Sequence, residues 1–195
     1  MINDTNNKIR YTSYRFFLEN GYEATNIRDI CKDVEIKPSS LYFYYKSKQD
    51  LFFSIYDEIW DNKIKFMKSV EKLHNNLSAD MKFKQLFIKT LEYYSNNFLN
   101  EKFLLRYHLF PTEEISTLIT DRYRYWTNEE NKIIEGLINE CIEENILDKK
   151  RNINEYLRDY KKIISNQIIS MLIYNVKIST HDSNTMWKMF QNSYI

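Results

Sequence analysis

Residues 25–44 read Thr25-Asn26-Ile27-Arg28-Asp29-Ile30-Cys31-Lys32-Asp33-Val34-Glu35-Ile36-Lys37-Pro38-Ser39-Ser40-Leu41-Tyr42-Phe43-Tyr44. Ile27, Ile30, Cys31 and Val34 recur at the spacing of one helix face, over about two and a half turns. Thr25 stands just ahead as an N-cap, and Asp29 lies close to the positive helix end. Pro38 suits the first position of another helix. Leu41 and Tyr45, four residues apart, give that helix a single apolar side. Two short helices joined by a tight turn make a helix-turn-helix candidate, whose second helix lies in the major groove while the first crosses the backbone. The charges agree. Lys37, Lys46 and Lys48 fall between Ile36 and Lys48 with no acid among them, whereas residues 51–195 balance acids against bases. On spacing alone, a small solvated corner is the competing reading.

Upstream, Ile9, Thr12, Ser13, Phe16 and Phe17 form the stripe of an amphipathic helix that ends before Gly21. Downstream, Ser47-Lys48-Gln49-Asp50 is a capping box. It opens a long fourth helix marked by Leu51, Ile55, Ile59, Phe66 and Val70, running to about Leu73. Ser78 caps a fifth helix bearing Phe83, Phe87, Leu91, Tyr94 and Phe98. A short sixth covers about Glu101–Leu109, before Pro111. From Thr112, Ile115, Ile119, Trp126, Ile133, Leu137 and Cys141 carry the pattern to about Leu147, as one helix or as two joined near Thr127. After the polar break Asp148–Asn152, a strongly apolar helix spans Asn154–Ile178 and a last one Ser183–Tyr194.

The chain has 195 residues, so it holds one large domain or two small ones. With 28 Lys+Arg against 27 Asp+Glu the net charge is +1, so affinity for nucleic acid must come from a local patch. Hydrophobic residues at 43% and aromatics at 16% suffice for a core. Only two glycines and two prolines occur, which argues against turn-rich sheets and for long helices. The fold class is therefore all-α, with about nine helices. No apolar run reaches a membrane span, and Met1-Ile2-Asn3-Asp4 does not read as a signal peptide. Cys31 and Cys141 are too few for a disulfide scaffold and too far apart for a zinc site. A cytoplasmic location with reduced thiols is the expectation, with no metal and no cofactor.

The stretch Phe16-Phe17-Leu18-Glu19-Asn20-Gly21-Tyr22-Glu23-Ala24-Thr25-Asn26-Ile27-Arg28-Asp29-Ile30 resembles the N-terminal region of the TetR (TetR/AcrR) family of bacterial helix-turn-helix transcriptional regulators. So does Leu41-Tyr42-Phe43-Tyr44-Tyr45-Lys46-Ser47-Lys48-Gln49-Asp50-Leu51. The likeness covers Ile9 to Leu51. Beyond it only length and helical character agree. It implies an N-terminal three-helix DNA-binding domain over 1–47, then a larger helical ligand-binding and dimerisation domain over 48–195. The sequence departs from the family pattern in places. Glu35 stands where glycine is usual, so either it accepts a left-handed backbone or the turn differs slightly. Lys37, Ser39 and Tyr44 differ where bases are contacted, so no operator sequence can be borrowed.

Site residues follow as expectations. Thr25 and Arg28 serve the backbone end of the motif. Lys37, Ser39 and Ser40 begin the recognition helix and face base edges or phosphates. Tyr42 and Tyr44 combine a ring for packing with a hydroxyl for phosphate. Lys48 resembles the family's phosphate-binding lysine. Ile27, Ile30, Leu41 and Tyr45 belong to the small core. The resemblance implies a cavity among the central helices, with Trp60, Phe66, Phe83, Phe87, Tyr94, Tyr107, His108, Tyr125 and Trp126 as candidate liners. Arg106, His108, Arg122 and Arg124 are the polar groups most able to orient a ligand. It also implies a homodimer built from the last two helices, for which Tyr160, Ile164, Gln167, Ile168, Met171, Trp187 and Phe190 are the candidate contacts.

The function these expectations compose is a ligand-responsive regulator, a repressor, that binds a palindromic operator in double-stranded DNA as a homodimer. A small hydrophobic or aromatic effector releases it. Catalysis is disfavoured: the three histidines (His74, His108, His181) are far apart and no Gly-rich phosphate loop or nucleophile elbow occurs. The alternative is a helical carrier or sensor of small molecules without specific DNA binding, which would need no basic patch between Lys37 and Lys48.

Overall fold

The computed structural model describes residues 2–73 and 76–192. Among the described residues nine helices and no strand occur. They are α1 (Ile2–Asn20), α2 (Ile27–Val34), α3 (Pro38–Tyr44), α4 (Lys48–Leu73), α5 (Ala79–Asn96), α6 (Phe98–Leu109), α7 (Ser116–Glu143), α8 (Ile153–Tyr174) and α9 (Thr180–Asn192). The fold is all-α, as composition requires. His74 and Tyr194 lie outside the described residues.

Local chemistry sets the element ends. Gly21 stops α1 with φ +88, and a Cβ built there would stand 2.6 Å from Arg106 Nη2. The positive φ is the condition that selects glycine, since the guanidinium is the movable end of a side chain. Asn26, not Thr25, caps α2: its side-chain oxygen accepts the Arg28 amide at 2.9 Å. Thr25 is instead buried, and its hydroxyl donates to the Gly21 carbonyl at 2.6 Å. Two adjacent cap-type residues compete here, and the one with the shorter reach to the next turn is used. Glu35 does take the left-handed conformation, at φ 60 and ψ 44. Its amide and that of Ile36 donate to the Lys32 and Cys31 carbonyls at 3.2 and 2.9 Å, which terminates α2. Ser47 caps α4 by accepting the Asp50 amide at 3.0 Å.

Later boundaries differ more from the sequence reading. α6 begins at Phe98 rather than Glu101, and the pattern after Thr112 becomes one helix from Ser116. α8 stops at Tyr174, where Asn175 turns left-handed at φ 53, before the expected Ile178. α9 starts at Thr180 rather than Ser183. The cause is a reciprocal cap: Asp182 accepts the Ser179 amide and Ser179 Oγ accepts the Asp182 amide, both at 3.1 Å. That S-x-x-D spacing is legible in the sequence. Ser78 does precede α5, but its hydroxyl donates to Asp80 rather than capping the helix.

The chain divides into two compact units, one of residues 1–61 with 102–123, the other of residues 62–101 with 124–195. Residues 1–47 fall wholly within the first. Its core is aromatic. Phe52 is fully buried, and its ring centroid lies 5.2 Å from those of Phe17 and Tyr22, 5.6 Å from Phe103 and 4.7 Å from Tyr107. Ile9, Ile30 and Leu41 are equally enclosed. In the second unit Phe83, Phe87, Tyr160, Trp187 and Phe190 form a corresponding cluster, with Phe83 stacked on Tyr160 at 5.5 Å. No helix among the described residues is long and apolar enough to cross a membrane.

Because four rings close on Phe52 and little can collapse into the space it leaves, Phe52→Ala should lower unfolding free energy by about 3–5 kcal/mol, measured by urea denaturation.

Candidate nucleic-acid interface

α3 has seven residues, and only Leu41 of them is buried. Most of the rest of it is exposed. Lys37, Ser39 and Ser40 are exposed and Tyr44 is half-buried. Tyr42 is 52% exposed and Phe43 is 80% exposed. Ser39, Ser40, Phe43 and Tyr44 line one shallow depression together with Thr5 and Ile36. The structure thus gathers the recognition-helix candidates on one surface. Lys37 is the N-cap residue but makes no side-chain cap, so its ammonium is not recruited into holding the helix. Tyr45, the next residue, turns inward, and its hydroxyl donates to Asn6 Oδ1 at 2.7 Å.

Sequence reasoning passed over Phe43. It packs edge-on against Tyr44 at 5.2 Å, which holds an apolar ring out in solvent beside the serines. Its signal was present: Leu41 and Tyr45 define the inner face, and a residue two positions from each must point away.

The backbone-contact candidates fare differently. Arg28 is exposed on α2. Thr25 is withdrawn, since its hydroxyl and its amide already serve the Gly21 and Tyr22 carbonyls. Lys48 is half-buried. Its ammonium donates to the Tyr22 carbonyl at 3.1 Å and sits 4.2 Å from that ring's centroid. This is a cation held against an aromatic face, so it reaches solvent with only part of its hydrogen-bonding capacity.

Residues 10–55 match the profile of "Bacterial regulatory proteins, tetR family". They are a tetR-family segment. The chain is 32% identical over 110 residues to the HTH-type transcriptional regulator QacR of Staphylococcus aureus, covering 49% of this chain and 58% of that protein. It is 31% identical over 80 residues to IcaR of Staphylococcus epidermidis, the HTH-type negative transcriptional regulator of the biofilm operon icaADBC, covering 41% and 42%. The chain therefore spans about half the length of the curated relatives it matches. Its fold is that of a TetR transcription regulator from Haloarcula marismortui, with TM-score 0.73 at 17% identity over 98% of this chain and 97% of that one. FadR from Bacillus subtilis, solved in complex with stearoyl-CoA, gives 0.73 at 16% identity over 94% and 96%. At such identities the likeness is one of fold.

Of the candidate cavity liners, all outside the matched segment, some fall in each unit. Trp60, Tyr107 and His108 belong to the first unit, and Phe66, Phe83, Phe87, Tyr94, Tyr125 and Trp126 to the second. Phe87 and Tyr94 are enclosed core side chains, Tyr107 is buried with its hydroxyl on the Phe17 carbonyl at 2.9 Å, and Tyr125 is 60% exposed. An aromatic at helical spacing is recruited by the core first. The proposed polar orienters are also occupied. Arg106 donates to the Leu18 carbonyl at 2.8 Å, and Arg122 pairs with Asp57 while lying over the Phe53 ring. His108 Nε2 is 2.7 Å from the Tyr56 hydroxyl, and its ring is 4.3 Å from that of Tyr123.

Most of the interface candidates lie in the core of the second unit. Tyr160, Ile164, Met171, Trp187 and Phe190 are buried within their own unit, and only Gln167 and Ile168 are partly open. A helix apolar around much of its girth does not declare which side turns inward. The outward apolar residues are Ile169 at 42% exposure, Ile173 at 67% and Tyr174 at 72% on α8, and Met189 at 64% on α9.

A buried ionic cluster in the second unit escaped the sequence reading entirely. Lys63 Nζ stands 3.0 Å from Glu130 Oε1, and Lys161 approaches Glu130 Oε2 at 3.7 Å. The Tyr94 hydroxyl donates to Glu130 at 3.3 Å. Burial alone would raise the Glu130 carboxyl, but the two lysines outweigh it and hold it below the ordinary range. Glu101 is 5% exposed, and its Oε1 finds no hydrogen-bond partner. Burial, only partly offset by Lys63, pushes its carboxyl from the ordinary 4.5 up to about 7. Because the folded chain holds this proton longer than the unfolded one, stability should fall as pH rises from 4.5 towards 7. Glu101→Gln should remove that slope and leave the variant more stable above pH 7, by on the order of 3 kcal/mol. Urea titrations at pH 5 and pH 8 check both points.

Proposed function

We propose that the chain is a transcriptional regulator, a repressor, that binds a palindromic operator in double-stranded DNA as a homodimer and is released by a small molecule. The observation that carries this is the presentation of α3: Lys37, Ser39, Ser40, Tyr42 and Phe43 all reach solvent from a helix anchored by one buried leucine. Serines and a lysine offer hydrogen bonds to base edges and phosphates, and Phe43 offers an apolar face to thymine methyl groups. The names of QacR and IcaR as HTH-type transcriptional regulators support the same reading. Residues 1–47 act as the DNA-binding part, and 48–195 hold the effector and the dimer contacts.

A single helix-turn-helix makes too few contacts for useful affinity, so two copies must present their recognition helices about 34–36 Å apart, or a multiple of that. Ile169 and Ile173 on α8 and Met189 on α9 are the residues that pairing would bury. A repressor of this design loses DNA only by the effector's differential affinity for its two states, a coupling of about 1–3 kcal/mol.

A gel shift with the gene's own upstream DNA should show specific, salt-sensitive binding by the ligand-free protein. No such binding would favour the carrier reading. Lys37→Ala should weaken binding and lower the slope of log affinity against log salt by about 1, if Lys37 contacts phosphate. Ile173→Glu, on the outward face of α8, should leave the fold intact but shift the dimer to monomer in sedimentation and weaken operator binding at least about tenfold. An unchanged dimer would remove α8 from the interface.

A further inference from the structure

α1 has no basic residue in its last turn, so nothing local meets the negative end of its dipole or the carbonyls that its final turn leaves over. α6 supplies both from within the same unit, to which residues 102–123 belong. Arg106 Nη1 donates to the Leu18 carbonyl at 2.8 Å. The Tyr107 hydroxyl donates to the Phe17 carbonyl at 2.9 Å, alongside the Gly21 amide at 3.1 Å. The other arm of the guanidinium reaches the bend itself, with Nη2 standing 2.6 Å from the point where a Cβ on Gly21 would be.

What Arg106 holds leads directly to the motif. Gly21 is buried, and its carbonyl accepts the Thr25 hydroxyl at 2.6 Å. Thr25 is itself buried, two residues before α2 begins at Ile27. The far end of α2 is fastened to α1 independently, where Asp33 accepts from Arg15 at 2.7 Å and from Thr12 at 3.3 Å. α2 is thus tied to α1 near both ends, and two ties fix a direction where one leaves a pivot. Tyr22 is pinned separately, its hydroxyl donating to Glu114 and its carbonyl accepting from Lys48, so the loop stays attached without Arg106. The part left to Arg106 is the orientation of Gly21 and, through Thr25, of the start of α2.

We infer that Arg106 is a positioning residue for DNA recognition: it touches no base or phosphate, and by clamping the end of α1 to Gly21 it sets the angle at which α2, and α3 behind it, leave α1. The inference rests on the regulator reading and adds to it a residue outside the matched segment 10–55. A guanidinium suits the task because its planar fork serves two points at once, where an ammonium is a single point charge. Misorientation and loss of a phosphate contact have different signatures. With α3 tilted, the exposed lysines still meet phosphates on any duplex, so the sequence-independent part of binding survives. Base contacts depend on where α3 points, so the specific part falls.

The test uses the full chain with two labelled duplexes, the gene's own upstream DNA and a scrambled duplex of equal length and composition. Binding is followed by fluorescence anisotropy over a series of salt concentrations. Arg106→Gln should bind the upstream DNA about tenfold more weakly, the contribution of one hydrogen bond from a charged group. Its affinity for the scrambled duplex and its slope of log affinity against log salt should stay unchanged. Arg106→Lys should fall between Arg106→Gln and the wild type. Thr25→Val cuts the same link one step further on without altering any charge, and should lose specificity in the same sense. Circular dichroism and urea midpoints identify the folded variants; an arginine that only stabilises would lower the midpoint and leave the folded protein's preference for upstream DNA untouched. Unchanged affinity of Arg106→Gln for upstream DNA, an equal loss on both duplexes, or a salt slope lowered by about 1, the mark of a lost phosphate contact, would each overturn the inference. Should Arg106→Gln not fold, unaltered specificity in Thr25→Val overturns it. A wild type that cannot tell the duplexes apart sinks the regulator reading and the inference with it, whereas a wild type and an Arg106→Gln variant that discriminate equally well sink the inference alone.

Discussion

A helix of seven residues has almost no stability of its own in water, so α3 keeps its shape only because Leu41 is driven into the first unit's core. Leu41 is fully buried, and Tyr45 just beyond the helix follows it inward. Everything on the opposite side of α3 is then pushed outward by geometry alone. Exposure of Tyr42 and Phe43 is thus a consequence of apolar packing two residues away, and the functional surface is a by-product of the core beneath it.

That core depends in turn on aromatic rings meeting at Phe52, and one of them, Tyr22, does more than pack. Its carbonyl and ring both engage Lys48, and its hydroxyl donates to Glu114 at 2.7 Å. The loop between α1 and α2 is therefore tied to the first turn of α4 through a cation. The second unit solves a different problem. Lys63 and Glu130 are buried together, and their mutual attraction must outweigh the cost of removing both from water. Glu101 beside them lacks a full complement of partners, which is why its charge is the expensive one.

The parts that could be read from sequence are those where one local signal acts alone. Gly21, Pro38 and the Ser47 capping box each fix a boundary without help from distant residues, and Ile27, Ile30, Leu41 and Tyr45 lie in the core as their spacing requires. Where two signals compete, reading fails: Thr25 and Asn26 are both good caps, and the structure uses the second. Where a residue's role depends on what packs against it from elsewhere in the chain, sequence carries almost no information. Phe83 and Phe87 in the core and Trp187 inside rather than outside have the same pattern on paper. The Lys63–Glu130 pair is 67 positions apart by number, and no periodicity announces it. Phe43 was different, since the inner face defined by its neighbours already implied its exposure.

Glu35 occupies a turn position that glycine would enter without strain. The hydrogen bonds that shape this bend come from main-chain amides, and the exposed Glu35 side chain takes no part in them. Its charge can accordingly be altered with little disturbance to the bend, which makes position 35 a dial on the electrostatic potential ahead of α3. Over evolutionary time such a dial would let the surrounding potential drift while the bend ahead of α3 stays the same.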